Sequence, residues 1–291
     1  MILCAGSVPT LQQPDVRLRQ PYSTPSCAIF IRTYWKDLEW LALCLRSIAR
    51  FCKGFSEVVV AVPSSSQAWL ERDAPLEGVR LIYVPNCNDD YLGQQVTKLL
   101  ADTLIDADLI AHVDADCIFT RETTASELVG SRRPRIVTRP IGELGRHYAW
   151  RGPTEDFLGF RVTLDYMQQP PFVYPRWLYP QLRRHCLSTH GVMIEQYVMQ
   201  RPPRGFSEFN VLGAWAHRHT SEHFEFVSVG EASDPCCDWH WSWGGLTPEL
   251  RRRIEVGLTR SIARGPDATS IETPCVVRSN DAGASAGSRQ P

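Results

Sequence analysis

Four short apolar runs, spaced by stretches of helical periodicity, constrain this chain more than any other feature. They are Cys27-Ala28-Ile29-Phe30-Ile31, Glu57 to Val62, Val79 to Val84, and Asp108 to Val113. A run of this length without polar alternation, as the first two are, marks a strand buried on both faces, the kind found in parallel sheets covered by helices, and the other two read as further strands. Between the runs, Lys36 to Phe51 places Leu38, Leu41, Leu45 and Ile48 at three- and four-residue steps, an amphipathic helix. Ser64 to Arg72 reads as a short helix with a serine cap. Tyr91 to Ile105 reads as a helix turning Val96, Leu99, Leu100, Thr103 and Leu104 inward. Pro63 and Pro85 end the second and third strands. This alternation predicts an α/β fold: a Rossmann-like, mostly parallel sheet with right-handed crossovers, flanked by helices.

Beyond residue 130 the pattern loosens. Arg135 to Thr138 reads as a strand, the stretch 140–206 as irregular with helical segments near 155–168 and 176–200, Phe206 to His217 as a helix, and Phe224 to Val229 as a strand. Thr247 caps a last amphipathic helix that reaches Ala263, with Pro248 and Glu249 in its first turn. The expected organisation is a flexible arm over 1–25, a Rossmann-like nucleotide-binding half over 26–140, a helical and irregular second half over 141–264 and a disordered tail over 265–291, where Gly, Ala, Ser, Asp and Pro dominate.

At 291 residues and 43% hydrophobic the chain can bury a sizeable core, and a net charge of −1 gives no global field toward nucleic acid or membrane. Ten cysteines are scattered without a CxxC pair, which argues against a disulfide framework or a zinc site and for buried thiols. No stretch approaches the ~20 apolar residues that span a bilayer. Met1–Ala5 lacks the basic and apolar regions of a signal peptide, so a soluble, cytoplasmic protein is expected.

The fourth run leads straight into Asp114-Ala115-Asp116. Ligands of open α/β sheets bind beyond the carboxyl ends of the strands. Residues two apart on an extended segment point the same way, so both carboxylates can face one cation. Hard oxygen ligands suit Mg²⁺ or Mn²⁺ bridging a diphosphate. Cys117-Ile118-Phe119 buries again after the pair, and carboxylates between two apolar runs are costly unless partnered.

The string His112-Val113-Asp114-Ala115-Asp116-Cys117-Ile118-Phe119 resembles the D-x-D motif of GT-A glycosyltransferases. Phe30-Ile31-Arg32-Thr33-Tyr34 with Lys36-Asp37 resembles the first strand and loop of bacterial and phage members. Gly93-Gln94-Gln95 with Thr97-Lys98-Leu99 resembles the helix that precedes their D-x-D strand. The resemblance covers roughly 27–245. It implies a UDP-sugar donor, with Arg32, Thr33 and Tyr34 near base and ribose, Gln94 and Lys98 near the donor, and Mn²⁺ or Mg²⁺ on Asp114 and Asp116. It further implies an acidic residue at the start of an acceptor-side helix and a late histidine completing the metal shell.

Phe206-Ser207-Glu208-Phe209-Asn210 fits the former: Ser207 caps a helix and puts Glu208 in its first turn, a candidate general base for the acceptor hydroxyl. Asp238-Trp239-His240-Trp241-Ser242-Trp243-Gly244-Gly245 fits the latter, with His240 as candidate metal ligand and Trp243 and Gly244 as donor-pocket wall. His217, His219 and His223 read as surface residues.

Arginines recur in the second half as Arg132, Arg133, Arg135 and Arg139; Arg146 and Arg151; Arg183 and Arg184; Arg201 and Arg204, interleaved with Tyr148, Trp150, Tyr174, Trp177 and Tyr179. A basic, aromatic acceptor half is compatible with DNA, and phage enzymes of this general type glucosylate hydroxymethylated bases flipped from the duplex. A cell-surface glycan or a small molecule is the other acceptor class. A nucleotidyltransferase would carry a glycine-rich phosphate loop after the first strand, whereas Arg32 to Asp37 holds no glycine. A nucleotide-holding module without turnover is the remaining alternative.

Overall fold

The computed structural model describes residues 25–73, 77–129, 133–145, 148–232 and 234–259, without the side chains of 71–73 and 243. The expected arm up to residue 24, the tail from residue 260, and Arg132 and Arg146 lie outside the described residues.

Four parallel strands form as the apolar runs require: β1 (Cys27–Arg32), β2 (Val58–Pro63), β3 (Arg80–Val84) and β4 (Leu109–Asp114). Next come β5 (Cys117–Phe119), β6 (Arg135–Pro140), β7 (Leu164–Asp165) and β8 (Phe172–Pro175). The main sheet runs β8-β4-β1-β2-β3, with β8 antiparallel to β4. The last strands are β9 (Glu225–Ser228), parallel to β6, and β10 (Cys237–Trp239), antiparallel to β5.

Strand alternation assigns the two faces of the sheet. Ile29, Ile31, Val60 and Val62 pack with Leu41 and Ile48 of α1 (Leu38–Phe51). Ala28, Phe30, Val59 and Ala61 turn the other way, onto Leu92, Val96 and Leu99 of the helix Asp90–Leu99. Each fully buried Ile, Val or Phe contributes about 1.5–3 kcal/mol, so the sheet is held as a rigid floor. The helices of more than one turn after α1 are α2 (Gln67–Asp73), α3 (Asp90–Leu99), α4 (Arg151–Leu158), α5 (Leu178–His190), α6 (Ile194–Met199), α7 (Glu208–His219) and α8 (Pro248–Thr259). The described chain packs as one compact unit through Leu258, and no helix among the described residues is long and apolar enough to cross a membrane.

Several sequence expectations are corrected. The helix expected through Ile105 stops at Leu99, where the Leu99 carbonyl accepts from Arg183 Nη1 at 3.2 Å, and a separate turn, Ala101–Leu104, leaves Thr103 exposed. Ser64 does not cap the second helix: its hydroxyl donates to Val84 O, and Ser64–Ser66 is a 3-10 turn ahead of α2. In the stretch read as irregular with helical segments, β7 and β8 are strands. β8 is short and bracketed by prolines, which an edge strand tolerates. Ser207 occupies the N-cap position of α7, but its hydroxyl accepts from the Asn210 side chain rather than from a backbone N–H. The Thr247 cap is present, with Thr247 Oγ1 accepting from Leu250 N at 3.2 Å.

Helix α7 is seated by Gly213. A Cβ at this position would lie 2.4 Å from Tyr166 Cβ, and Tyr166 N donates to Asn210 Oδ1 one turn away. Gly213→Ala therefore forces α7 away from Tyr166, which follows β7, and we expect a loss of about 2 kcal/mol, read as a melting temperature lower by roughly 6 °C.

Candidate functional site

The strand order reverses between β1 and β4, since β1 leads outward to β2 and β3 while β4 lies on its other side. In a sheet of this kind the crevice at the carboxyl ends of those two strands is where a ligand fits. Arg32 ends β1 and Asp114 ends β4, and the two are register partners. The loops after both strands close this crevice.

Asp114 Oδ1 lies 2.7 Å from Lys98 Nζ, and Glu208 Oε1 lies 2.9 Å from the same ammonium. Lys98 is only 3% exposed and Glu208 only 6%. Gln95, with its amide oriented so that Nε2 donates, reaches Glu208 Oε2 and the Phe206 carbonyl, both at 3.0 Å. One buried cation thus joins β4, α3 and α7. Burial alone would push the Lys98 pKa down, but Asp114 and Glu208 more than offset this and hold it above its ordinary value. Beneath it, His112 Nε2 sits 2.6 Å from the Tyr179 hydroxyl, and burial reinforced by Lys98 keeps the ring well below its usual pKa.

Asp116 occupies the turn after β4 and is 8% exposed. Its Oδ2 accepts from Ser242 N at 2.7 Å, and its backbone carbonyl accepts from His240 N at 3.0 Å. Asp116 Oδ1 is buried with no hydrogen-bond partner. Burial and then the neighbouring Asp114 raise the Asp116 pKa to about 7. Asp37, in the loop after β1, rises to about 6 through burial and Asp114, opposed by a hydrogen bond from Ser242. Ser242 therefore ties the β1 loop to the β4 turn. Its own placement is fixed by β10 pairing with β5 and by Gly245, whose φ of 78° belongs to the left-handed region that favours glycine.

Of the residues singled out from sequence, Lys98, Asp114, Asp116 and Glu208 come together. Arg32 is buried and paired with Asp90, and Arg32 Nη1 also donates to Thr33 O at 2.7 Å, so its guanidinium pins β1 to the start of α3. Thr33 is buried with Oγ1 unpartnered, and Tyr34 follows it half-buried. Gln94 is half-buried beside Gln95, which makes the contact to Glu208 instead. His240 stacks on Trp40 at 5.4 Å, and its Nε2 is buried without a partner. Gly244 is exposed in the turn Ser242–Gly244, and the Trp243 side chain lies outside what is described. Trp35 stacks on Trp69 at 5.1 Å just after Tyr34.

Sequence reasoning missed Asp90, Gln95 and Ser242 and gave Asp37 no role. For Gln95 a signal existed: Tyr91, Gln95 and Lys98 fall at i, i+4 and i+7, one face of α3.

The donor set suits a hard cation. Asp114 and Asp116 supply carboxylate oxygens, one of them buried and unpartnered, and burial followed by the charge of Asp114 raises Asp37 and Asp116. Among the described residues no three His, Cys, Asp or Glu side chains are grouped to hold an ion by themselves. An ion held by the two aspartates would take its other ligands from a diphosphate and water, as Mg²⁺ commonly does. No protein-family model matches the chain, and no curated protein matches it.

Proposed function

We propose that this chain is a metal-dependent glycosyltransferase of GT-A architecture that moves a hexose from a UDP-sugar to an acceptor hydroxyl. The observation that carries the reading is the pair Asp114 and Asp116 at the topological switch point, with a buried, unpartnered oxygen on Asp116. A Mn²⁺ or Mg²⁺ ion on these two side chains would neutralise charge growing on the departing diphosphate. In this reading the acceptor oxygen bonds to the anomeric carbon while the bond from that carbon to the β-phosphate oxygen breaks, and UDP leaves with the bonding electrons. Glu208 takes the acceptor proton. It accepts two hydrogen bonds, from Lys98 and Gln95, which leaves two of the roughly four lone-pair sites of a carboxylate free. Those two bonds fix its orientation.

The test is turnover. With a panel of UDP-sugars and Mn²⁺, the protein should release UDP, and Glu208→Gln should slow release about 100-fold with UDP affinity preserved. Hydroxymethylated DNA and free sugars serve as parallel acceptors, and a hexose mass shift on nucleosides would identify the base as acceptor. Failure to release UDP from any donor with any acceptor would reject catalysis and favour a module that only holds nucleotide.

A further inference from the structure

Alternation along Trp239-His240-Trp241 sorts three rings onto two sides of the chain. β10 ends at Trp239, and Trp241 continues in extended backbone, with φ −87° and ψ 102°. His240 turns onto Trp40. Trp239 and Trp241 turn the other way and stack on each other, ring centroids 4.9 Å apart and planes 22° from parallel. Trp241 is 53% exposed, the most exposed large apolar side chain among the described residues.

The backbone holds this pair against the carboxylates of the switch point. His240 N donates to Asp116 O at 3.0 Å and Ser242 N donates to Asp116 Oδ2 at 2.7 Å, so both neighbours of Trp241 are bonded to one aspartate. Gly244 N closes the turn by donating to Trp241 O at 2.9 Å. From Trp241 a row of rings runs inward. Trp239 meets Phe172 edge-on at 5.7 Å, Phe172 stacks on Phe209 at 4.1 Å, and Lys98 Nζ lies 4.8 Å from the Phe209 ring. Phe209 follows Glu208 in α7. One end of the row therefore reaches solvent beside Asp116, and the other backs the proposed base.

A second stacked pair, Trp35 on Trp69, is 40% exposed at each ring, but it is held elsewhere. Trp35 N donates to Ser66 Oγ at 3.1 Å, and Lys36 Nζ stands 5.3 Å from the Trp35 ring. Around Trp241 the balance is acidic. Asp116 is bonded to the residues on either side of it, Asp238 is exposed on the same strand, and at His240 the charge of Asp238 outweighs that of Arg253. A phosphate-bearing ligand would meet carboxylates there, whereas an uncharged one would not.

We propose that Trp241, backed by Trp239, is the acceptor platform, and that the acceptor it takes is an uncharged pyranose ring of a glycan. The assignment rests on the glycosyl-transfer reading. An indole offers a broad apolar face. The C–H face of a pyranose matches it, and the ring hydroxyls stay free at the rim. A ring stacked on Trp241 borders Asp116, which that reading assigns to the metal.

The test is a set of calorimetric and tryptophan-fluorescence titrations of the whole chain, saturated with UDP and Mn²⁺, using maltose, cellobiose and lactose. Glucose 6-phosphate is the charged control, and UDP with Mn²⁺ is titrated separately. At least one disaccharide should bind saturably and shift the tryptophan emission. Trp241→Ala should weaken it about tenfold, and Trp241→Phe, which keeps a stacking face, should stay within about threefold of native. Both variants change an exposed position, so both should remain folded by circular dichroism and bind UDP within about twofold of native. Saturable binding of none of the disaccharides, or equal affinity in Trp241→Ala, would overturn the platform while UDP binding still upheld the donor site. Tighter binding of glucose 6-phosphate than of every disaccharide would overturn the uncharged class. A loss of UDP affinity in Trp241→Ala would move Trp241 to the donor and also overturn the proposal. Tighter, Trp241-dependent binding of a hydroxymethylated single-stranded oligonucleotide would replace the glycan with DNA. Absence of UDP binding in the native chain would reject the transferase reading itself, and the acceptor role with it.

Discussion

Lys98→Met is expected to lower the melting temperature by roughly 10 °C, because it strips a buried cation from between two carboxylates. Methionine fills the stem of the lysine, so the packing against Phe209, whose ring lies 4.8 Å from Lys98 Nζ, changes little. What changes is charge. Glu208, 6% exposed, keeps only Gln95, and Asp114 loses its 2.7 Å partner. Breaking a buried pair by removing one member costs about 3–5 kcal/mol, most of it the stranded charge rather than the lost attraction. The same reasoning predicts partial repair. Lys98→Met with Glu208→Gln should recover about half of the loss, since the amide no longer needs a counter-charge. Thermal melts of the two single variants and the double variant measure this coupling. If Lys98→Met melted with the native protein, the buried network would carry no weight in the fold.

Asp116→Asn is expected to act with opposite signs on stability and on binding. In the metal-free protein at pH 8, Asp116 is held ionised against burial and against Asp114, the causes of its pKa near 7. The folded-state value exceeds the unfolded one, so the folded state binds the extra proton and stability falls as pH rises from about 4 to about 7. Asparagine removes that cost, and the metal-free variant should melt a few degrees higher than the native protein at pH 8, on the order of 1–3 kcal/mol. The gain should shrink as the pH falls from about 7 and vanish below about pH 4, where the side chain is protonated in the folded and the unfolded chain alike. His112 contributes with the reverse slope, because it is buried neutral and its unfolded form protonates below about pH 6.5, but it is common to both proteins and cancels in the difference. Binding moves the other way. With UDP and Mn²⁺ at about 100 times the dissociation constant, the native protein should gain roughly 2.7 kcal/mol, and the variant should gain nothing. Stabilisation by a substitution that abolishes ligand response separates a site from a structural carboxylate.

The sheet half is legible in the sequence because buried parallel strands read as unbroken apolar runs, and β1, β2 and β4 are such runs, whereas β3 is an edge strand that keeps Arg80 and Tyr83 exposed. The end of β4 then locates Asp114 and Asp116 without further information. β8 is not legible, because four residues ending in Pro175 carry no periodicity, and it becomes a strand only by pairing with β4. The partners of the charged side chains are equally hidden. Lys98 meets Glu208 across 110 residues and Arg32 meets Asp90 across 58, separations at which only the fold brings them together. The same holds for the arginines of the second half. Grouped by sequence they resemble a basic surface, yet Arg183 forks onto Asp102 at 2.6 and 2.7 Å across 81 residues. Gln94 and Gln95 show the finest grain of this limit: one step of 100° around α3 decides which amide faces Glu208.

The most direct measurement is a calorimetric titration of UDP into the native chain, once with Mn²⁺ and once with EDTA, repeated with Asp116→Asn. A donor site at the switch point predicts saturable binding that requires Mn²⁺ and disappears in the variant while the variant remains folded. UDP binding of equal affinity with EDTA, or unchanged in Asp116→Asn, would contradict it.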